Sequence, residues 1–232
     1  MSNPLTYTLP KNERDDLSAN ERLRLTEIFL SLQGEGRTVG EPTIFVRLTG
    51  CPLRCQYCDS EYAFYGGNWL SFHEIFSILD EYDVKTVCVT GGEPLAQSNC
   101  IPFLEKLCNE GFSVSLETSG AMDISGVDER VSRVLDIKTP DSGELEKNIW
   151  SNIEVLTPHD QVKFVICSRK DYCWAVDIVS RYQLSERCLV LFSPSFHQVE
   201  ASDLADWIIA DKLKVRFQVQ LHKYLWQDEP GR

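Results

Sequence analysis

The stretch that decides the fold is Thr43-Ile44-Phe45-Val46-Arg47-Leu48-Thr49-Gly50-Cys51-Pro52-Leu53-Arg54-Cys55-Gln56-Tyr57-Cys58 (residues 43–58), a short apolar run that breaks at a glycine into three cysteines. TIFVRLT (43–49) is rich in β-branched and aromatic residues and is bounded by a turn residue, so it reads as a strand. The same form recurs along the chain. TVCVT (86–90) ends in TGGEP (90–94), SVSLET (113–118) in ETSG (117–120), and RVLDI (133–137) in DIKTP (136–140). CLVLFS (188–193) ends in FSPS (192–195) and KVRFQVQ (214–220) in QLHKY (220–224), while LTEIFLSLQ (25–33) and QVKFVI (161–166) are further strand-like runs. Helix-like stretches lie between them: SFHEIFSILDEY (71–82), CIPFLEKLCNEG (100–111), KDYCWAVDIVSRY (170–182) and EASDLADWIIAD (200–211). Ser71 opens a capping-box spacing, and Gly111 stands where a helix C-cap belongs.

Strand–helix alternation predicts parallel βα units joined by right-handed crossovers. About six such units make a closed or open barrel, so the expected fold class is α/β, a partial (β/α)6-type barrel of parallel strands. Such architectures place ligand sites at the C-terminal ends of their strands. The polar and glycine-rich strand ends should therefore converge on one mouth. Residues 1–22 include the charged, aperiodic PKNERDDLSANER (10–22) and are expected as a poorly ordered N-terminal extension, with a single catalytic domain over 23–232.

A formal charge of −12, from 23 Lys and Arg against 35 Asp and Glu, argues against a nucleic-acid-binding surface. No run approaches the length of a membrane span, and the N-terminus lacks the basic start and apolar stretch of a secretory signal, so a cytoplasmic location is expected. Nine cysteines then need an explanation other than disulfides. Six of them (Cys88, Cys100, Cys108, Cys167, Cys173 and Cys188) are scattered and read as small buried hydrophobes.

Cys51, Cys55 and Cys58 have the spacing C-x3-C-x2-C. Three thiolates this close suit one face of a cuboidal iron–sulfur cluster, whereas structural zinc usually takes four ligands in two separated pairs. No second pair exists, although His73 or Cys88 could be drafted as a fourth ligand. Three ligands on four irons leave one iron open to chelate a small molecule.

This spacing, followed by TGGEP after an apolar strand, resembles the radical S-adenosylmethionine (SAM) superfamily. The resemblance implies a 4Fe–4S cluster on Cys51, Cys55 and Cys58 and reductive cleavage of SAM to a 5′-deoxyadenosyl radical. It also implies that SAM is held by Tyr57, Gly91, Gly92, Glu93, Glu117, Asp136 and Lys138. Leu32-Gln33-Gly34-Glu35-Gly36, Arg47, Cys58-Asp59-Ser60 and His222-Lys223-Tyr224 narrow the likeness. From about Thr26 to Tyr224 the chain resembles the 7-carboxy-7-deazaguanine synthase family, lyases of queuosine and 7-deazapurine biosynthesis. The implied substrate is 6-carboxy-5,6,7,8-tetrahydropterin, whose ring contracts with loss of ammonia. Implied substrate residues are Leu32, Gln33, Gly34, Glu35, Arg47, Thr90, Phe192, Ser193 and His222, with Ser60 a ligand to Mg2+. A homodimer and a flavodoxin-type electron donor are implied as partners.

Two departures weigh on these assignments. Ser60 replaces the more frequent Thr but keeps the hydroxyl, and Asp136-Ile137-Lys138 replaces a Ser-Pro-Lys found in some members. Plainer readings stand beside each residue: Arg47 as a surface charge on a strand, His222 as a packed core histidine, Ser60 as a loop residue bonded to backbone. Two other functions share the cysteine spacing. A radical activase acting on a protein partner would not need the QGEG or HKY segments, and a non-catalytic zinc or iron–sulfur module would not cleave SAM.

Overall fold

The computed structural model describes residues 6–7, 21–227 and 231. Strand β1 (Thr6–Tyr7) pairs antiparallel with β2 (Arg22–Leu32), and β3 (Pro42–Leu48) runs back antiparallel along β2. Strand β4 (Asn68–Ser71) pairs antiparallel with the first residues of β2. From β3 the sheet becomes parallel and advances one strand at a time through β5 (Thr86–Gly91), β6 (Ser113–Thr118), β7 (Ser132–Asp136), β8 (Gln161–Ile166), β9 (Leu189–Pro194) and β10 (Arg216–Phe217). Spatial order that follows chain order is barrel winding, as expected. No pairing among the described residues joins β10 to β1, β2 or β4, so the barrel stays open.

Helices cover the outer face of the parallel sheet. Helix α1 (Phe72–Asp80) starts at the capping box between Ser71 and Glu74 and buries Phe72, Ile75, Ile78 and Leu79. Helix α2 (Cys100–Asn109) buries Cys100, Phe103, Leu104 and Leu107, and the chain leaves it through Gly111 at φ 81°. Helix α3 (Arg169–Arg181) buries Tyr172, Ala175 and Ile178, a short α4 (Leu184–Arg187) follows, and α5 (Ala201–Ala210) buries Leu204 and Ile208. Helix α6 (Leu221–Trp226) closes the described fold. These faces join one hydrophobic cluster extending from Leu23 to Ile208.

Several expectations need correction. The run at 25–33 is antiparallel, so it belongs to a hairpin that precedes the βα units. The β6–β7 connection carries no helix, and the β7–β8 connection is built from 3-10 turns at 140–142, 145–147 and 150–155. The β6–β7 loop buries Ile124, Val127 and Val131 and so fills the place a helix would cover. Only Arg216–Phe217 of the expected strand 214–220 pairs, because Gln218 and Gln220 turn their amides toward residues 35 and 36. Part of the N-terminal extension lies in the sheet. Thr6–Tyr7 covers the β2 edge opposite Phe29 and Ile28, Tyr7 packs on the core, and Arg22 already pairs with Ser71. An uncovered edge would leave backbone groups unpaired, which such pairing avoids. Residues 1–5 and 8–20, also assigned to that extension, lie outside the described residues. Of the scattered cysteines, Cys173 is exposed on α3 and Cys108 half-buried, while the other four are buried.

Candidate active site

In a strand, successive side chains alternate between faces. In this barrel each parallel strand from β3 to β9 turns a polar side chain inward: Arg47 on β3, Thr90 on β5, Glu117 on β6, Asp136 on β7, Lys163 on β8 (with the apolar Val165 on the same face nearer the strand end) and Ser193 on β9. All six line one cavity of about 680 Å³, which the cysteine loop and the segments around residues 33 and 222 also border. The expected convergence on one mouth is what the chain forms.

Cys51, Cys55 and Cys58 all face this cavity. The loop that carries them is braced from several sides. Arg54 donates to the Cys51 and Leu53 carbonyls, its own N–H donates to Glu144, and Gln56 N–H donates to the Ser142 carbonyl. The glycine motif packs directly beneath, since a Cβ on Gly92 would strike the Gly50 carbonyl and the Cys51 Cβ. Leu53 N–H donates to Cys51 Sγ at 3.4 Å, and the Ser60 backbone N–H lowers the Cys58 value by bonding its sulfur. Burial pushes all three thiols up, Cys55 to about 11, so their ionisation calls for a cation in the cavity. Among the described residues no three His, Cys, Asp or Glu groups are gathered to enclose a single metal ion. Three soft donors spread around one cavity, with N–H groups on two sulfurs, fit a cluster that offers each thiolate a different iron.

Of the residues expected to hold the cofactor, Tyr57, Gly91, Gly92, Glu117, Asp136 and Lys138 line the cavity. Lys138 Nζ lies 3.0 Å from Asp136 Oδ2 and 3.4 Å from the Tyr57 hydroxyl. Asp136 Oδ1 is buried without a hydrogen-bond partner, an acceptor that a ligand donor would satisfy. Glu93 is a correction. Its buried carboxylate accepts from Leu95 N–H, Thr118 Oγ1 and both N–H and Oγ of Ser119, so it ties β5 to β6 below the cavity.

The segments expected to read the substrate meet one another. Leu221 N–H donates to the Gly34 carbonyl at 3.1 Å, and the His222 imidazole lies where a Cβ on residue 34 would stand. Leu32, Gln33, Gly34, Glu35, Arg47, Thr90, Ser193 and His222 all line the cavity. Phe192 does not. It is fully buried and packs edge-on against Phe164 and Tyr172 on the helical side, because its neighbour Ser193 takes the inward position. Arg47 commits Nε to Glu27 Oε1 at 2.7 Å and lies 5.7 Å from the centroids of the Phe29 and Tyr62 rings. That arrangement leaves the terminal guanidinium nitrogens as the edge available to a carboxylate. Ser60 Oγ donates to Asp59 Oδ1 at 2.9 Å, and Asp59 Oδ2 accepts from Gln220 at 3.1 Å with Lys223 3.7 Å away.

Lys163, Gln220 and Asp59 line the cavity and Gln218 braces Glu35 and Gly36 from outside it, and reading the sequence assigned none of them to the site. A lysine at the third position of QVKFVI is the available signal: in a strand buried on both faces, a charge must point at something polar. Glu35 accepts from Lys163 at 2.9 Å, Gln218 at 3.1 Å and Gln220 at 2.9 Å. Burial raises its carboxyl, but Lys163 and Gln220 outweigh that and hold it below the usual range. Glu117 goes the other way: burial, with Glu35 and Asp136 nearby, lifts it to about 7 against the pull of Lys163. Burial also lowers His222, against the opposing pull of Glu35 and Asp59.

An open parallel barrel with three cysteines after its first parallel strand and a glycine turn after its second defines a radical SAM enzyme, and the family model "Radical SAM superfamily" matches residues 45–192. The 7-carboxy-7-deazaguanine synthase of Koribacter versatilis is 41% identical over 222 residues, covering 89% of this chain and 98% of the relative. That of Chlorobaculum tepidum is 39% identical over 216 residues, covering 92% and 98%. The crystal structure of QueE from Escherichia coli shares the fold at TM-score 0.71 and 21% identity, covering 87% of this chain and 95% of that one. The chain belongs to the 7-carboxy-7-deazaguanine synthase family. No helix among the described residues is long and apolar enough to cross a membrane.

Proposed function

We propose that this chain converts 6-carboxy-5,6,7,8-tetrahydropterin to 7-carboxy-7-deazaguanine, with loss of ammonia. The observation that carries the reading is the meeting of the QGEG loop and helix α6 across the same cavity that the three cysteines face. Cys51, Cys55 and Cys58 would hold the cluster, and Tyr57, Gly91, Gly92, Glu117, Asp136 and Lys138 would hold SAM. When bound, the pair supplies a radical able to take a hydrogen atom from the substrate.

The chain's own groups suit a flat heterocycle bearing a carboxylate. Arg47 offers its two terminal nitrogens to the carboxylate. Glu35, kept ionised, accepts from the N–H edge of the ring, with Gln33 and the Gly34 backbone beside it. His222, held neutral by burial, presents a hydrogen-bonding nitrogen. Glu117, near 7, can hold or release a proton at its carboxyl oxygens at neutral pH. Ser60 Oγ, with Asp59 adjoining, provides hard oxygens for Mg2+ beside the substrate carboxylate. A homodimer in the cytoplasm, supplied with electrons by a flavodoxin-type protein, completes the reading.

Anaerobic reconstitution with iron and sulfide, followed by assay of 5′-deoxyadenosine and the deazapurine, tests it. Product that depends on the pterin is the expected result. Cleavage of SAM with the pterin returned unchanged would overturn the substrate assignment.

A further inference from the structure

Lys163 faces inward on β8, and its partners come from three other parts of the chain. Its Nζ lies 2.9 Å from Glu35 Oε2 in the loop after β2, 3.4 Å from Glu117 Oε2 on β6, and 3.9 Å from Asp136 Oδ2 on β7. The side chain is only 12% exposed. Burying one ammonium among three carboxylates costs desolvation that Coulomb attraction does not reliably offset, so such a cluster is poor evidence of a gain in stability. What it does provide is a fixed arrangement. Gln218 and Gln220 also donate to Glu35, and Gln218 accepts from Gly36 N–H, so the carboxylate is held in one orientation on both oxygens. Lys163 is the one charged member of that set of donors. It is also the member that reaches across to Glu117, on the side of the cavity assigned to SAM.

We propose that Lys163 is a positioning residue for the substrate, its ammonium fixing Glu35 against the N–H edge of the ring and tying that carboxylate to Glu117 on the cofactor side. The inference rests on the substrate reading above. Lys163 acts through Glu35 and is not itself assigned a contact with the reacting atoms.

The test uses the reconstituted holoenzyme under anaerobic conditions. Dissociation constants for 6-carboxy-5,6,7,8-tetrahydropterin and for SAM are measured for the wild type, Lys163→Met, Lys163→Arg, Glu35→Gln and the Lys163→Met/Glu35→Gln double variant, with cluster content checked in each. Lys163→Met should weaken pterin binding about 10- to 100-fold, the worth of a charge-assisted bond in a buried site. Because Nζ also adjoins Glu117 and Asp136, SAM affinity should fall as well, but by several-fold less than pterin affinity, and Lys163→Arg, which keeps the cation, should recover most of both losses. With Glu35→Gln already in place, removing the lysine should cost less than about threefold more, since the partner through which it acts is gone. Should Lys163→Met not fold, Lys163→Gln carries the same comparison. Wild-type pterin affinity in the lysine variant, an arginine variant as impaired as the methionine one, or an undiminished loss in the Glu35→Gln background would each overturn the proposal. A wild type that cleaves SAM yet binds no pterin would overturn the substrate reading instead.

Discussion

Arg47 shows how much one side chain's role depends on what has already claimed it. With Nε on Glu27 and aromatic rings nearby, the guanidinium is aimed by its neighbours, and only its terminal edge is left for a ligand. Arg47→Lys keeps the charge but loses both the planar fork and the Glu27 anchor. Substrate affinity should fall about tenfold or more while SAM cleavage persists, measured as pterin Kd beside uncoupled 5′-deoxyadenosine. Ser60 presents a narrower question. Its hydroxyl rests on the Asp59 side chain rather than on backbone, so the plain loop-capping reading finds no bond here. If Mg2+ is held there, Ser60→Thr should keep stimulation by the metal and Ser60→Ala should lose it with the cluster intact, read as turnover against Mg2+ concentration. A Ser60→Ala enzyme that responds as the wild type does would remove the hydroxyl from the metal site. Errors of sequence reading at this scale also have a plain cause. Naming both Phe192 and Ser193 as pocket residues ignored that neighbours on a strand face opposite ways; in QVKFVI the same alternation sets Lys163 on the face opposite Val162 and Phe164, and the fold decides which face is inward.

At the scale of elements, the decisive contact is between the QGEG loop and helix α6. A helix of six residues has little intrinsic stability, and α6 buries none of its residues completely. It is held by the Leu221–Gly34 bond and by the packing of His222 on the Gly34 Cα, with no room for a methyl group between them. Gly34→Ala should therefore displace His222 and loosen α6. Pterin affinity should drop about tenfold or more, while SAM affinity, cluster content and melting temperature stay near wild type. Equal loss of both affinities would mean that the loop supports the whole barrel instead. Two segments separated by most of the chain thus become one element of the site, a relation that neither segment carries by itself.

For the whole molecule, the cavity concentrates charge that folding must accommodate. Glu117 is the clearest case, because burial lifts it from the ordinary 4.5 to about 7. A carboxyl with a raised value in the folded state favours the protonated form. Its contribution to stability is complete below about 4.5 and is lost as the pH rises through about 7. Glu35, held below the usual range, titrates outside that window. In the cluster-free protein this group by itself should therefore remove at most about 3 kcal/mol between pH 5 and pH 8, partly offset by His222, whose lowered value adds stability as the pH rises. Glu117→Gln should flatten the profile. Melting temperatures across that range decide it, and parallel profiles for the two proteins would show that Glu117 titrates as an ordinary carboxylate.

The division between sequence and tertiary structure follows from range. Local patterns in the sequence determined the strands that begin at Thr86, Ser113 and Gln161, the capped helix after Ser71, and the three thiols after a strand end, because each depends on residues within a few positions of one another. The convergence of strand ends was legible too, since parallel βα winding leaves them nowhere else to point. Tertiary structure alone decided which of two adjacent side chains faces the cavity, that Glu93 spends its carboxylate on β6, and that Thr6–Tyr7 pairs with β2. It also decided that Lys163, Gln218 and Gln220 gather on Glu35, residues 128 to 185 positions away along the chain. Hydrogen bonds and ion pairs of that kind act over a few ångströms, and only the folded barrel brings such distant residues within that reach.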